Sequence, residues 1–306
     1  MRCISPFFRP VLLSGIFFLG CSLLGAAENI TAVPSPLPEF PIGRCVLVLN
    51  STSPEDAKTA GFDYLEVNLP DLLPLADEDF ARVVARLRGI GIPLLSGYGF
   101  MPADLKIVGP AVDHARVDAA LRRGLDRAQQ LGLSLVVHGN LIAGTRAAPE
   151  GFPPAEARKQ FAGFCRQAAR EGAARGITVL VQPMGPKATN VINTVAEGLA
   201  LVEEVNNPHL QLLIDYSSLV EGGEDLAILQ RAGPHIRQIE IQNPHGRIYP
   251  QRLDEADYVT FFRALKSGGY RGGFSIHGKP GDFFTTAPRA LALLRGLAAA
   301  ELTEKK

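Results

Sequence analysis

An excess of charge of either sign is missing from this 306-residue sequence: lysine and arginine total 31, aspartate and glutamate total 31, and the formal net charge is zero. Without a basic surplus there is no field to neutralise a phosphate backbone, so nucleic acid is excluded as a partner. Cysteine is scarce. Of the four, Cys3 and Cys21 fall near the N-terminus, which leaves Cys45 in a predicted strand and Cys165 on a predicted helix face. Two such thiols are expected to be unpaired and buried, neither a disulfide nor a metal pair, and no redox chemistry is indicated. No glycine-rich phosphate loop follows the first predicted strand, where "NSTSPED" stands, and this argues against a doubly wound nucleotide-binding sheet. The apolar run from Val11 to Leu24 is too short and wrongly flanked to span a bilayer.

That run instead completes a targeting pattern. Arg2 and Arg9 supply a positive start and Gly25-Ala26-Ala27 a small-residue cleavage site, which predicts a signal peptide over residues 1–27 and an exported protein. In Phe18-Leu19-Gly20-Cys21 there is an alternative, a lipoprotein-type signal that would leave a lipid anchor on Cys21. Residues 28–43, with "AVPSPLPEFPIG" from position 32, are Pro-rich and predict an extended tether. One domain is expected over 44–300, and 301–306 form a charged tail.

From Arg44 onward, short apolar runs alternate with amphipathic segments, as in repeated βα units with a parallel sheet. Eight runs predict strands: "RCVLVLN" from 44, "DYLEVNL" from 63, "IPLLSG" from 92, "SLVVHG" from 134, "TVLVQP" from 178, "LQLLID" from 210, "IRQIEIQ" from 236 and "GFSIHG" from 273. Between them, Phe161, Phe164, Cys165 and Ala168 keep helical spacing, and Thr194 with Glu197 forms a capping box before Leu199, Val202 and Val205. "SPEDAKTAG" predicts a short first helix. Eight βα units close a (β/α)8 TIM barrel, an α/β fold whose chemistry gathers at the C-terminal ends of the strands.

Those ends carry Glu66, Ser96, Tyr98, His138, Asn140, Gln182, Asp215, Glu240, Gln242 and His277. Ser96, Asn140 or Gln242 alone reads as a solvated or loop-bonded polar group. Gln182, Asp215, Glu240 and His277 come from four successive strands, so ring closure is expected to aim them at one point. Two carboxylates, an imidazole and a carbonyl oxygen make a first shell for a divalent ion such as Mn2+, Mg2+, Co2+ or Zn2+.

Over about residues 44–298 the sequence resembles the xylose isomerase-like TIM barrels of the sugar-phosphate isomerase/epimerase group. The resemblance rests on "GFDYLEVNL", "GFMPADLKIVGPAVD", "HGNLIAGTRAAPEGF", "QPMGPKATNVINTVAEGLALVEEV", "LLIDYSSL", "IRQIEIQNPHGRIYP" and "DYVTFFRALKSGGYRGGFSIHG". It implies one metal held by Glu, Asp, His and Glu from the fifth to eighth strands, the two Glu also moving protons on a sugar. Here those positions are Gln182, Asp215, Glu240 and His277, so the last two have exchanged ligand types and the first has lost its charge. Ser218 and Ala188 also depart from the pattern, whereas Thr189 and Asn190 fit it. A carboxamide takes no proton near neutral pH, so one of the two bases that the resemblance implies is missing, and His277 and Glu240 become the catalytic candidates. The resemblance places Glu66, Arg146 and Arg247 near the pocket, Glu66 as a contact to a sugar hydroxyl or a cap of a neighbouring loop and the arginines as contacts to substrate oxygens or partners of nearby acids, and His138, at the same strand ends, reads as a substrate contact or a structural histidine. His114, His209, His235 and His245 are expected to carry no chemistry.

Two functions follow from the resemblance: an exported isomerase, epimerase or lyase of a free sugar or oxidised sugar, working through an enediolate, and a silent barrel that only binds carbohydrate. A multi-zinc endonuclease of the same superfamily is excluded, because the strand ends hold too few histidines and acids.

Overall fold

Each short apolar run of the sequence becomes a strand whose two faces are both covered, and the eight strands pair in parallel, in chain order, into a closed ring. In the computed structural model, which describes residues 37–49 and 51–301 apart from the side chains of 140 and 141, they are β1 Ile42–Val46, β2 Tyr64–Asn68, β3 Leu94–Tyr98, β4 Leu135–His138, β5 Thr178–Val181, β6 Leu210–Asp215, β7 Ile236–Ile241 and β8 Gly273–Ile276. The β1–β8 register, Ile42↔Phe274 to Arg44↔Ile276, closes the ring. The expected (β/α)8 TIM barrel is present. The predicted signal peptide, Cys21, most of the tether and residues 302–306 lie outside the described residues.

The first strand starts two residues before Arg44. The Ile42 amide donates to the Asp63 carboxylate at 2.8 Å and the Asp63 amide donates to the Ile42 carbonyl at 2.8 Å, so the end of the expected tether is held in the sheet.

The helical jacket consists of α1 Ser53–Ala60, α2 Asp77–Ile90, α3 His114–Leu131, α4 Pro154–Ala173, α5 Val195–Val205, α6 Tyr216–Glu221, α7 Ile228–Ala232, α8 Tyr258–Ser267 and α9 Phe283–Ala299. On α4 the residues at helical spacing, Phe161, Phe164, Cys165 and Ala168, are all buried. Thr194 and Glu197 make the capping box that starts α5, each side chain satisfying a backbone amide of the other's turn. Helix α3 lies so close to the β3 loop that a Cβ on Gly124 would stand 1.8 Å from the Phe100 carbonyl oxygen, which requires glycine there.

Strand parity decides what enters the bore. Tyr98, Val137, Leu180 and Leu213 form an apolar cluster of their own, with Cys45 and Leu135 packed against it, separate from the larger core between sheet and helices. Side chains alternate along a strand, so Gln182, two after Leu180, and Asp215, two after Leu213, also point inward. The Asp215↔Glu240 and Glu240↔Ser275 pairings carry the same face onto β7 and β8, with His277 two residues beyond Ser275.

Candidate active site

A chain of five side chains crosses the mouth of the bore. His277 Nε2 lies 3.0 Å from Glu66 Oε2 and 3.5 Å from Glu240 Oε1. Each carboxylate is braced by a carboxamide: Gln182 Nε2 donates to Glu240 Oε2 at 3.0 Å, and Gln238 Nε2 donates to Glu66 Oε2 at 3.0 Å. Gly139 at the end of β4 makes room for the first brace, because a Cβ there would come within 2.1 Å of Gln182 Oε1. The Tyr98 ring stands 6.3 Å from the His277 ring and helps wall the imidazole in.

The carboxamides leave part of this cluster without donors. Glu66 Oε1, Glu240 Oε1 and Gln182 Oε1 are all buried, and none has a hydrogen-bond partner. Glu66, Glu240 and His277 each offer a ligand atom within 4.8 Å of the others. Two carboxylates and an imidazole, with electron pairs to spare and no donor to use them, fit a divalent cation of the hard or borderline kind.

Comparison with known proteins agrees with this architecture. Residues 54–297 match the family described as xylose isomerase-like TIM barrel. The chain belongs to that family. It is 29% identical over 223 residues to an L-ribulose 3-epimerase of Methylomonas sp. (strain DH-1), covering 71% of this chain and 73% of that one. To a ketose 3-epimerase of Arthrobacter globiformis it is 28% identical over 222 residues, 72% and 74% of the two chains. Among solved structures, a D-allulose 3-epimerase from Methylomonas sp. in complex with D-allulose superposes with a TM-score of 0.71 at 22% identity, over 85% of this chain and 98% of the other. A 3-keto-D-glucoside 4-epimerase from E. coli gives 0.68 at 20% identity, over 84% and 100%. At these identities the two structures show the shared fold.

Not every candidate substrate contact reaches the mouth. His138 and Arg146 do not line it. Val137 points into the bore, so its neighbour His138 points into the jacket, where its ring lies 5.3 and 5.4 Å from those of Phe161 and Phe164. Arg146 is fully buried beside it, donating to the carbonyls of Val191, Gln182, Ile192 and His138, with Nη1 3.1 Å from His138 Nδ1. This guanidinium ties the β4 loop to the β5 loop and has no donor directed at a substrate. Burial and the neighbouring Arg146 push the His138 pKa well below the usual imidazole value, so the ring is neutral. Arg247 is half-exposed and holds both oxygens of Glu221 at 2.8 Å.

Glu66, expected to touch substrate, instead belongs to the hydrogen-bonded group at the centre. Asp215 is at the rim of that group: its Oδ1 accepts from the amides of Ser217 at 2.7 Å and Ser218 at 3.2 Å, capping α6. Sequence reasoning missed Gln238, although its position two residues before Glu240 puts it on the same strand face. It also missed how near Cys45 comes. Cys45 is free and half-buried, not buried like the free Cys165, and it faces Glu66 across the β1–β2 ladder.

The cluster retains its protons. Burial, against the pull of His277 and with the push of Glu66 and Asp215, raises the Glu240 pKa to about 8. Burial likewise raises Asp215. At His277 burial opposes the charge, but Glu240, Cys45 and Glu66 together outweigh it, and the pKa stands well above the ordinary value. A group whose pKa is raised by folding contributes stability that is complete below its unfolded pKa and is lost as pH rises through the folded one. With chelator present, the melting temperature is therefore expected to fall between about pH 5 and about pH 8, by at least the ~2–4 °C that 1 kcal/mol produces in a domain of this size. Thermal melts across that window check this, and a flat or rising profile contradicts it.

Proposed function

We propose that the protein is an exported isomerase or epimerase that moves a proton beside the carbonyl of a free ketose or keto-sugar, through an enediolate. One observation carries this: Glu66, Gln182, Glu240 and His277, from four strands, meet at the catalytic end of a xylose isomerase-like barrel as one group linked by two hydrogen bonds and the His277–Glu240 ion-pair contact. The epimerase names of the relatives point to the same substrate class. Export rests on the pattern of residues 1–27, with the lipid anchor on Cys21 as its variant, and an exported enzyme meets free sugars more readily than phosphorylated intermediates.

Glu240, poised at about 8, is suited to take a proton from carbon and give it back near neutral pH. His277, charged beside it, holds the developing oxyanion. Gln182 orients Glu240 through its amide and takes no proton itself. With one base in place of two, the proton returns to the face it left, which favours transfer to the adjacent carbon, or elimination, over inversion at one centre. Arg247 can turn from Glu221 to a substrate oxygen. A divalent cation held by Glu66, Glu240, His277 and the Gln182 carbonyl oxygen would displace the proton of His277 and supply, in place of the imidazolium, the stabilisation of enediolate charge.

The test is proton exchange. The full chain is incubated with free ketohexoses and ketopentoses in D2O, with and without Mn2+, and NMR follows deuterium at C1 and C3. Deuterium at either carbon, with a new isomer, supports the proposal. Sugar binding without exchange overturns it in favour of a silent carbohydrate-binding barrel.

A further inference from the structure

The ligand atoms that gather in this barrel are not the ones that four successive strand ends would give. Bonds of about 2.1 Å set neighbouring ligand atoms about 3.0 Å apart at right angles and about 3.4 Å apart at tetrahedral angles. His277 Nε2 stands 3.0 Å from Glu66 Oε2 and 3.5 Å from Glu240 Oε1, so the imidazole nitrogen is already near ligand spacing from an oxygen of each carboxylate, and one ligand atom of each of the three residues lies within 4.8 Å of the others. Their carboxylates each keep one buried oxygen with no donor, Glu66 Oε1 and Glu240 Oε1, and Gln182 Oε1 beside them is in the same condition. Glu66, Glu240 and Gln182 are all at most 1% exposed, so water does not readily supply the missing partners.

Asp215 is differently occupied. It faces Glu240 across the β6–β7 ladder, but its Oδ1 accepts two backbone amides, and it is not one of the residues whose ligand atoms gather within 4.8 Å. An oxygen that caps a helix start is already satisfied.

We propose that this chain binds a divalent cation through strands β2, β7 and β8, with Glu66, Glu240 and His277 as protein ligands and Gln182 as a neutral fourth, while Asp215 serves as the cap of α6. Placing the ion between β2 and β8 moves the charge toward the β1 side of the mouth. It gives Glu66 the anionic charge that the fifth-strand ligand gives up by being a carboxamide. The proposal deepens the function proposed above and rests on it only for the presence of a cation.

The test uses Mn2+ alone as probe, on the full chain stripped with chelator and dialysed, with binding followed by calorimetry and metal content by mass spectrometry. The variants are Glu66→Gln, which still accepts from Gln238, and Asp215→Asn, which still caps α6; circular dichroism and thermal melts confirm that both fold. Loss of an outer-sphere partner costs ~10–100-fold in affinity, so loss of a direct ligand in Glu66→Gln is expected to cost at least ~100-fold. Asp215→Asn is expected to change affinity by less than ~10-fold, below the outer-sphere range. Equal or greater loss in Asp215→Asn, or unchanged affinity in Glu66→Gln, overturns the proposal. So does a wild-type chain that takes up no Mn2+, and proton exchange in chelator then decides separately whether the sugar reading survives.

Discussion

His277→Ala is expected to lower kcat/KM for proton exchange on a free ketose by about a thousandfold while the barrel still folds. His277 is the hub of the mouth: it bridges Glu66 at 3.0 Å and Glu240 at 3.5 Å and is the one basic side chain in the linked group. Without it two buried carboxylates face each other and share a proton, so Glu240 becomes a weaker acid and is no longer poised near neutrality. The fold tolerates the change because the strand is held by backbone, the His277 amide donating to the Ile241 carbonyl at 3.0 Å, and the removed ring has a partly exposed edge. Steady-state kinetics beside thermal melts separate the two effects. An unchanged rate would remove His277 from the chemistry.

Gln182→Glu carries the second large effect, on stability. Gln182 Nε2 is a donor to Glu240 Oε2 at 3.0 Å, and both side chains are almost fully buried. A carboxylate there replaces a hydrogen bond by two facing acceptors and adds a negative charge with no partner, a change worth about 3 kcal/mol of lost stability in chelator. Mn2+ is expected to restore most of it, since an additional anionic oxygen beside the cluster is what a cation lacks in the wild-type chain. Melts with EDTA and with Mn2+ measure both parts. A wild-type melting temperature in EDTA would show that the carboxamide is not needed to keep Glu240 in place. The neutral side chain is thus explained by its neighbour: Glu240 stands on β7 in reach of the β5 end, and a carboxamide lets one oxygen remain available while the amide satisfies the acid.

The strands were legible because their signal is local. Runs such as "TVLVQP" and "LQLLID" are apolar on both faces, which only a sheet covered on both sides accommodates. Helix starts were legible for the same reason, as Thr194 and Glu197 show, since a capping box closes within one turn. His138 could be read as facing the mouth or as a structural histidine because position at a strand end was considered without its parity. Leu135 and Val137 occupy the inner face of β4, which sends His138 outward, and the pattern "LVVH" contained that information.

Glu66 is a different case. It stands 211 residues from His277 and on a strand two places away around the ring, so no spacing rule links them. The amino-acid order alone determined that eight strands form, that they close, and that acids, amides and an imidazole fall at their C-terminal ends, because each of those features is set within one βα unit. Only the closed barrel decided which of these side chains share a centre. Distance across the bore depends on the register of every ladder between two strands, and that sum is settled when the ring shuts.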